Sequence, residues 1–211
     1  MKIDLHVHSK EFSPCGRSTL TEQVEAAIAA GLDALVFADH DHLLPLDHLT
    51  RLNDQYAPFR VFSGIEISLP ADEHLLALGV HDARLEMYIR DYPTLRQFVH
   101  DQGGIIVLNH PFRYHPEILV DHRTYPPDAI EAYSNNIVPQ LRPQILAEAV
   151  DLKLPVVSNS DGHHTSFLGR YYNELPRVPQ DEQELITLLK TGQFTPVWPS
   201  AARTDKVFTG N

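Results

Sequence analysis

The chain has one cysteine, Cys15, in 211 residues, so it can form no intrachain disulfide, which fits a reducing, cytoplasmic setting. Long hydrophobic runs are missing, and no stretch approaches the length that spans a bilayer. Met1 leads straight into "KIDLHV" without a signal-type apolar segment or cleavage site, so secretion and membrane insertion are not expected. Positive charge is scarce: 17 Lys and Arg face 28 Asp and Glu, a net charge of −11. Such a surface repels a phosphate backbone and argues against nonspecific duplex binding. Basic runs interleaved with aromatics, which single-strand binding uses, are lacking too. Bound divalent cations would invert that field locally. No Pro/Gly/Ser linker, internal repeat or low-complexity block divides the chain, so a single domain is expected over residues 1–211, its core about 1–198 with a tail after that.

What is present is 43% apolar residues in a regular alternation. The runs "KIDLHV", "DALVFAD", "RVFSGIEI", "HLLALGV", "GIIVLNH", "AIEAYS", "PVVSNSD" and "FTPVW" read as strands, most of them near-continuously apolar as buried parallel strands are. Between them lie the helical patterns "TLTEQVEAAIAAG", "LDHLTRLNDQYA", "YPTLRQFVHDQG", "PQLRPQILAEAVDLK" and "DEQELITLLKTG". The first carries its own boundaries: Thr19 and Glu22 form a capping-box pattern and Gly31 a stop. Alternation of this kind predicts a parallel α/β sheet, closed as a barrel or open and doubly wound. The stretch from Tyr114 to Pro127 reads as one long surface loop.

The polar residues fall in one kind of place. His6 and His8 end the first run, one residue apart, and on a strand both rings point to the same side. The second run ends in Asp39, His40 and His42, the third in Glu66, the fifth in His110, the seventh in Asp161, His163 and His164; His74 and His81 bracket the fourth. In parallel α/β folds the C-terminal strand ends converge on one face, which holds the active site. Any one of these histidines alone is a polar residue at a strand-to-loop transition. His48, His100, His115 and His122, in helical or loop stretches, are read as solvent-facing. Glu66, flanked by Ile65 and Ile67, and Asp161 after "VVSNS" are carboxylates that need a cation or strong donors.

Imidazole and carboxylate suit zinc, manganese or iron. The ligands exceed one tetrahedral site, so two or three divalent ions are expected, with Glu66 able to bridge two of them. Closely spaced ions activate water and clamp the attacking and leaving oxygens of an in-line displacement, chemistry that suits a phosphate ester. Arg17, Arg113 and Arg170 fall near the expected mouth and are candidates to grip a phosphate. His164 is a candidate proton donor to the leaving group or a structural residue. Asp39 and His42 are expected to orient their ligand neighbours.

In order, "DLHVHS", "FADHDH", "SGIEIS", "HLLALGV", "LNHP", "IEAYS" and "SNSDGHH" resemble the PHP (polymerase and histidinol phosphatase) family over residues 4–164. The resemblance implies a distorted (β/α)7 TIM-like barrel with a trinuclear site and phosphoesterase activity. It assigns His6, His8, Glu66 and Asp161 to a first metal. Glu66 would bridge to a second, completed by His110 and either His74 or His81. Seven residues apart, these two cannot face the same way on a regular strand, and His74 is slightly favoured. A third metal falls to His40, His163 and a residue of the loop after His8. There the chain reads "SPCGR", where many members carry Asp or His before the glycine; Cys15 holds that position, and Glu11 is the nearest other donor.

The expected activity is therefore hydrolysis of a phosphate ester, with a small phosphorylated metabolite favoured over a nucleotide or oligonucleotide end. An amidohydrolase-type C–N hydrolase also uses a His-x-His after its first strand, yet "GIEIS", "ADHDH" and the lack of a lysine ending a middle strand do not fit it. A non-catalytic metal-stabilised interaction module predicts degraded ligand sets, whereas almost every ligand position here is filled.

Overall fold

In the computed structural model, residues 1–87, 89–179 and 181–199 are described. The expected tail lies outside them from residue 200 onward. They form nine strands: β1 (Lys2–Val7), β2 (Ala34–Phe37), β3 (Arg60–Ser68), β4 (His74–Leu78), β5 (Ile105–Leu108), β6 (Ala129–Tyr133), β7 (Val156–Ser158), β8 (Tyr172–Glu174) and β9 (Thr195–Val197). Six α-helices accompany them: α1 (Leu20–Ala29), α2 (Leu46–Tyr56), α3 (Arg84–Met87), α4 (Tyr92–Asp101), α5 (Arg142–Leu152) and α6 (Glu182–Lys190). No helix among the described residues is long and apolar enough to cross a membrane.

The capping box of α1 forms as the spacing predicts: Thr19 accepts from Glu22 N, and Glu22 reaches back to Thr19. Gly31, with φ +79°, ends that helix in a backbone region that a side chain would strain. All eight predicted strand runs exist, and β8 is an addition.

One sheet holds all nine strands, in the order β7-β6-β5-β4-β3-β2-β1-β8-β9. It is a nearly closed, barrel-like α/β sheet, and it corrects the expectation of a parallel one. β4 runs antiparallel to both β3 and β5, β8 is antiparallel to β1, and β9 is antiparallel to β8. The reason for β4 is chain length. Only Leu69–Glu73 separate it from β3, far fewer than the dozen or so residues a parallel crossover needs. At "SGIEISLPADEHLLAL" the sequence already carried that signal.

Closure happens in two tiers. Past the end of β7, Gly162 pairs in parallel with β1: His8 N donates to Gly162 O (3.1 Å) and Gly162 N to His6 O (3.1 Å). Buried Gln23 of α1 clamps this joint, its amide donating to His8 O (2.9 Å) and Gly162 O (2.7 Å). At the other end β8 fills the gap, and its buried Asn173 replaces a backbone ladder. Asn173 Oδ1 accepts from Ser158 N (3.0 Å) while its Nδ2 donates to Ser158 O (2.8 Å). A side-chain amide thus presents the donor and acceptor that a strand would offer.

Apolar residues of the strands, among them Ile3, Leu5, Val36, Leu76, Leu78 and Val107, form one buried cluster that includes Leu185, Ile186, Leu188 and Leu189 of α6. Two further clusters fill the spaces under α4 and α5 and under α1 and α2. Burying this much apolar surface holds the strand ends in fixed positions, so side chains at those ends meet with little freedom.

Candidate metal centre

β1 delivers His6, and the extended chain just beyond it delivers His8. Both side chains are fully buried, and their Nε2 atoms lie 3.0 Å apart. Both nitrogens also face one oxygen of a shared carboxylate, which draws the two rings together. Glu66, near the C-terminal end of β3 and 1% exposed, supplies the carboxylate. Its two oxygens divide the surrounding rings. Oε2 lies 3.2 Å from His6 Nε2, 3.3 Å from His8 Nε2 and 3.2 Å from His40 Nδ1. Oε1 lies 3.3 Å from His74 Nδ1 and 3.1 Å from His110 Nε2, and accepts from Asn109 Nδ2 (3.0 Å). Asp161 Oδ1 faces His8 Nε2 (3.2 Å), His163 Nδ1 (3.4 Å) and His6 Nε2 (3.6 Å).

His110 (φ +25°) and Asp161 (φ +50°) both sit in the left-handed backbone region, where such a residue costs about 1–3 kcal/mol. Strain of this size is retained where the surrounding structure fixes it, and here it aims two side chains into the cluster.

Charge follows this geometry. Burial alone pushes the Glu66 carboxyl up, but His6, His110 and His74 outweigh it and hold the group well below the usual carboxylate range. Burial lowers the His8 pKa, yet hydrogen bonds and charge from Asp161 and Glu66 carry it up to about 9. His6 likewise lies well above its ordinary value, with Glu66 and Asp161 overcoming burial. His40 goes the other way, lowered by burial to about 4, and His163 is lowered by burial as well. The Cys15 thiol is pushed up to about 11 by burial, with the charges of Glu66, Asp161 and Asp39 adding to the rise.

Whether these residues fit a metal has a direct test in their unsatisfied atoms. Glu66 Oε2, Asp161 Oδ1, His40 Nδ1 and His74 Nδ1 are all buried without a hydrogen-bond partner. These two carboxylate oxygens and two imidazole nitrogens, in ion-pair contact but without a hydrogen bond, are ligand atoms that cations between them would satisfy. Three groups of ligand atoms lie within 4.8 Å of one another: His6, His8 and Asp161; His40, Glu66 and His74; and His8, Cys15, His40 and His163. The donor set of imidazoles, carboxylates and one thiol fits divalent transition-metal ions.

Of the two candidates on the fourth strand, His74 is in the cluster and His81 is not. His81 binds Glu182 at 2.8 Å, with a side chain 29% exposed. Because β4 is antiparallel, its first residue stands where the other strands have their last, so His74 reaches the mouth and His81 the opposite end. Glu11 is also elsewhere: both its oxygens accept from Leu20 N at the start of α1 (3.1 and 3.0 Å).

Among the arginines, Arg113 comes to the cluster, with Nη1 3.5 Å from Asp161 Oδ2. Arg17 and Arg170 have exposed side chains, and Arg17 contributes a backbone N–H to His163 O (2.8 Å). His164 is exposed and caps a short helical turn, accepting from Ser166 N (3.2 Å). Asp39 binds Ser9 N (2.6 Å) and Ser9 Oγ (2.8 Å), fixing the loop after β1 rather than a histidine ring. His42 stacks on Phe12 (centroids 4.7 Å apart) and touches no cluster ring among the contacts described. His100 and His122, expected to face solvent, pair with Asp128 and Glu148 at 2.8 Å each.

Sequence reasoning passed over Glu131. Fully buried in β6, it lies 3.3 Å from His6 Nδ1 through Oε1, and it accepts from His110 N (3.2 Å) and Asn159 Nδ2 (2.9 Å). The signal was the one that singled out Glu66: a carboxylate inside an apolar strand run, here "AIEAY". It orients the His6 ring from the side away from the cluster. Asn136 Nδ2 does the same for Asp161, donating to Oδ2 (2.5 Å) and leaving Oδ1 to face the histidines.

A sequence profile of the PHP domain matches residues 4–186. No curated protein sequence matches the chain at a significant level. Solved structures share its fold. A two-domain protein from Bacteroides vulgatus, described as containing a predicted PHP-like metal-dependent phosphoesterase, aligns with a TM-score of 0.72 and 18% identity over 94% of this chain. The chain spans 64% of that protein. PsfC from Pseudomonas syringae aligns at 0.69 and 18% identity, covering 95% of this chain and 92% of its own. An amidohydrolase from Chromobacterium violaceum, solved with sulfate and no metal, aligns at 0.64 and 17% identity over 97% of this chain and 100% of its own. At such identities the likeness is one of fold, but the profile covers most of the sequence, and on that ground the chain belongs to the PHP domain family.

Proposed function

We propose that the protein is a metal-dependent phosphoesterase that holds two or three divalent ions, of zinc, manganese or iron, in this cluster. The observation that carries the reading is the division of Glu66: Oε2 turns to His6 and His8, Oε1 to His74 and His110. A carboxylate split in this way suits the bridge between two ions. His6, His8, Asp161 and Glu66 Oε2 would hold one, and His74, His110 and Glu66 Oε1 a second. When bound, such ions lower the pKa of a coordinated water and neutralise charge on a phosphoryl group.

The chain's own residues supply the rest. Glu131 and Asn136 hold His6 and the Asp161 carboxylate in their orientations. Arg113, its side chain 29% exposed beside Asp161, is placed to pair with a phosphate oxygen entering from solvent. The net charge of −11 favours a small phosphorylated metabolite over a nucleotide or an oligonucleotide end as substrate.

The amidohydrolase reading draws on the name of one fold neighbour. Against it, Lys2, Lys10, Lys153 and Lys190 are all exposed, and none is available as a buried bridging group. The test is a panel of phosphomonoesters, phosphodiesters and amides offered to metal-reconstituted protein, with Glu66→Ala and His110→Ala as controls. Phosphate release that both controls abolish is expected. Amide cleavage alone would overturn the assignment, and no turnover with metals bound would replace it with a non-catalytic metal-stabilised module.

A further inference from the structure

His6 and His8 turn their Nε2 atoms into the cluster, and different groups hold the other side of each ring. His6 Nδ1 meets the Glu131 carboxylate (3.3 Å). The partner of His8 Nδ1 is the hydroxyl oxygen of Ser13, at 3.2 Å. Ser13 is 3% exposed and His8 fully buried, so solvent does not compete for this contact.

A ring nitrogen beside a hydroxyl can give or take the proton, and the surroundings of Ser13 decide which. The Ser13 oxygen already accepts from His40 N (2.8 Å). A hydroxyl has one proton to give and room for two donors. The Ser13 proton is drawn to Asp39: burial raises that carboxyl above its ordinary value, and hydrogen bonds from Ser9 and Ser13 work against the rise. The second acceptor position of Ser13 is thereby left for a proton on His8 Nδ1. His8 Nε2, 3.3 Å from Glu66 Oε2 and 3.2 Å from Asp161 Oδ1, then keeps its lone pair for a cation.

The turn after β1 brings Ser13 to this place. Ser13 N donates to Ser9 O (3.1 Å) and Phe12 N to Ser9 Oγ (3.2 Å). Ser9 is itself fixed by Asp39, which accepts from its N (2.6 Å) and its Oγ (2.8 Å). Asp39 thus reaches His8 through Ser13.

We infer that Ser13 is a positioning residue of the metal centre: it takes the Nδ1 proton of His8, so that Nε2 alone is offered to an ion, and its oxygen also anchors the main chain of His40. The inference rests on the metal-dependent reading of the cluster and deepens it. One hydroxyl ties a fully buried ring to the backbone of a histidine nearer solvent. Partners of this kind fix the tautomer and orientation of a ligating imidazole, and their loss weakens metal binding.

Zinc is the probe, and the ring-nitrogen signals of His8 are the first readout. In long-range proton–nitrogen spectra of zinc-loaded wild type, His8 is expected to carry its proton on Nδ1, with slow exchange against solvent. Ser13→Ala is expected to lose the slow exchange and to weaken zinc binding about 10–100-fold in chelator competition. Ser13→Thr keeps the hydroxyl and is expected to restore both. A merely structural serine would lower the melting temperature of metal-free Ser13→Ala and leave the His8 signals and zinc affinity as they were, and that result would overturn the inference. So would a His8 proton on Nε2 in zinc-loaded wild type, a measurement that stands even where Ser13→Ala fails to fold. Wild type with the Nδ1 signature that hydrolyses no ester would uphold the place of Ser13 and overturn the phosphoesterase reading.

Discussion

The buried and outer halves of the cluster are built from the same residue types in different ways. His6, His8, Glu66, His74 and His110 stand on strands or at strand ends, fully or mostly buried, with Glu131 and Asn109 behind them. Cys15, His40 and His163 stand on loops, partly open to solvent and held by backbone hydrogen bonds. Strand ends in a packed barrel cannot move without disturbing the core, so the buried half is preorganised by the fold. The outer half is only as rigid as its loops. Affinity is expected to reside in the first and exchange in the second.

The largest effect should come from breaking the shared element. Glu66→Ala removes the carboxylate that five imidazoles face, and phosphate release is expected to fall by about three orders of magnitude with loss of bound metal in both halves. A variant that kept its full metal content would refute the bridging role.

Glu131→Gln separates the halves. It weakens the grip on His6 and on the His110 backbone, both in the buried half, and metal affinity there is expected to drop about 10–100-fold while the outer half keeps its ion. Chelator competition followed by metal analysis reads both.

The two halves should also differ in their response to pH in the metal-free chain. His8 has a folded pKa of about 9, above its unfolded value, so its ion pairs stabilise fully below about pH 6.5 and their contribution is lost as pH rises through about 9. His40, at about 4 when folded, has the opposite sign: stability is lost as pH falls from about 6.5 towards 4. Melting temperatures of metal-free protein should therefore decline on both sides of about pH 6.5. Glu66→Gln should flatten the alkaline side, and an unchanged alkaline slope would remove Glu66 as the cause.

A smaller effect is expected from Gly16→Ala, which forces the Cys15 loop off the Ser9 carbonyl at a cost of about 1–3 kcal/mol. Occupancy should fall further in the outer half than in the buried one. Equal loss from both halves would show that the loop supports the whole cluster.

Much of this was legible in the chain. The ligand types at the ends of apolar runs, the capping box of α1 and the eight strand segments follow from local patterns that need no partner. The direction of β4 was written in the five residues before it, and it decides for His74, the candidate slightly favoured over His81. Glu131 carried the same mark as Glu66 and went unread because nothing local says which buried carboxylate meets a histidine. His100 and His122 were read as solvent-facing because their partners Asp128 and Glu148 lie more than twenty residues away.

The sequence by itself determined which side chains were available, and that most of them would stand where strands end, because period and polarity are local properties. Tertiary structure alone decided which of them meet. Reversing β4 brought His74 to the mouth, the pairing of Gly162 with β1 set Asp161 beside His8, and the loop pinned at Gly16 put Cys15 against His40 and His163. Those choices depend on the packing of distant segments, which no window of the sequence contains.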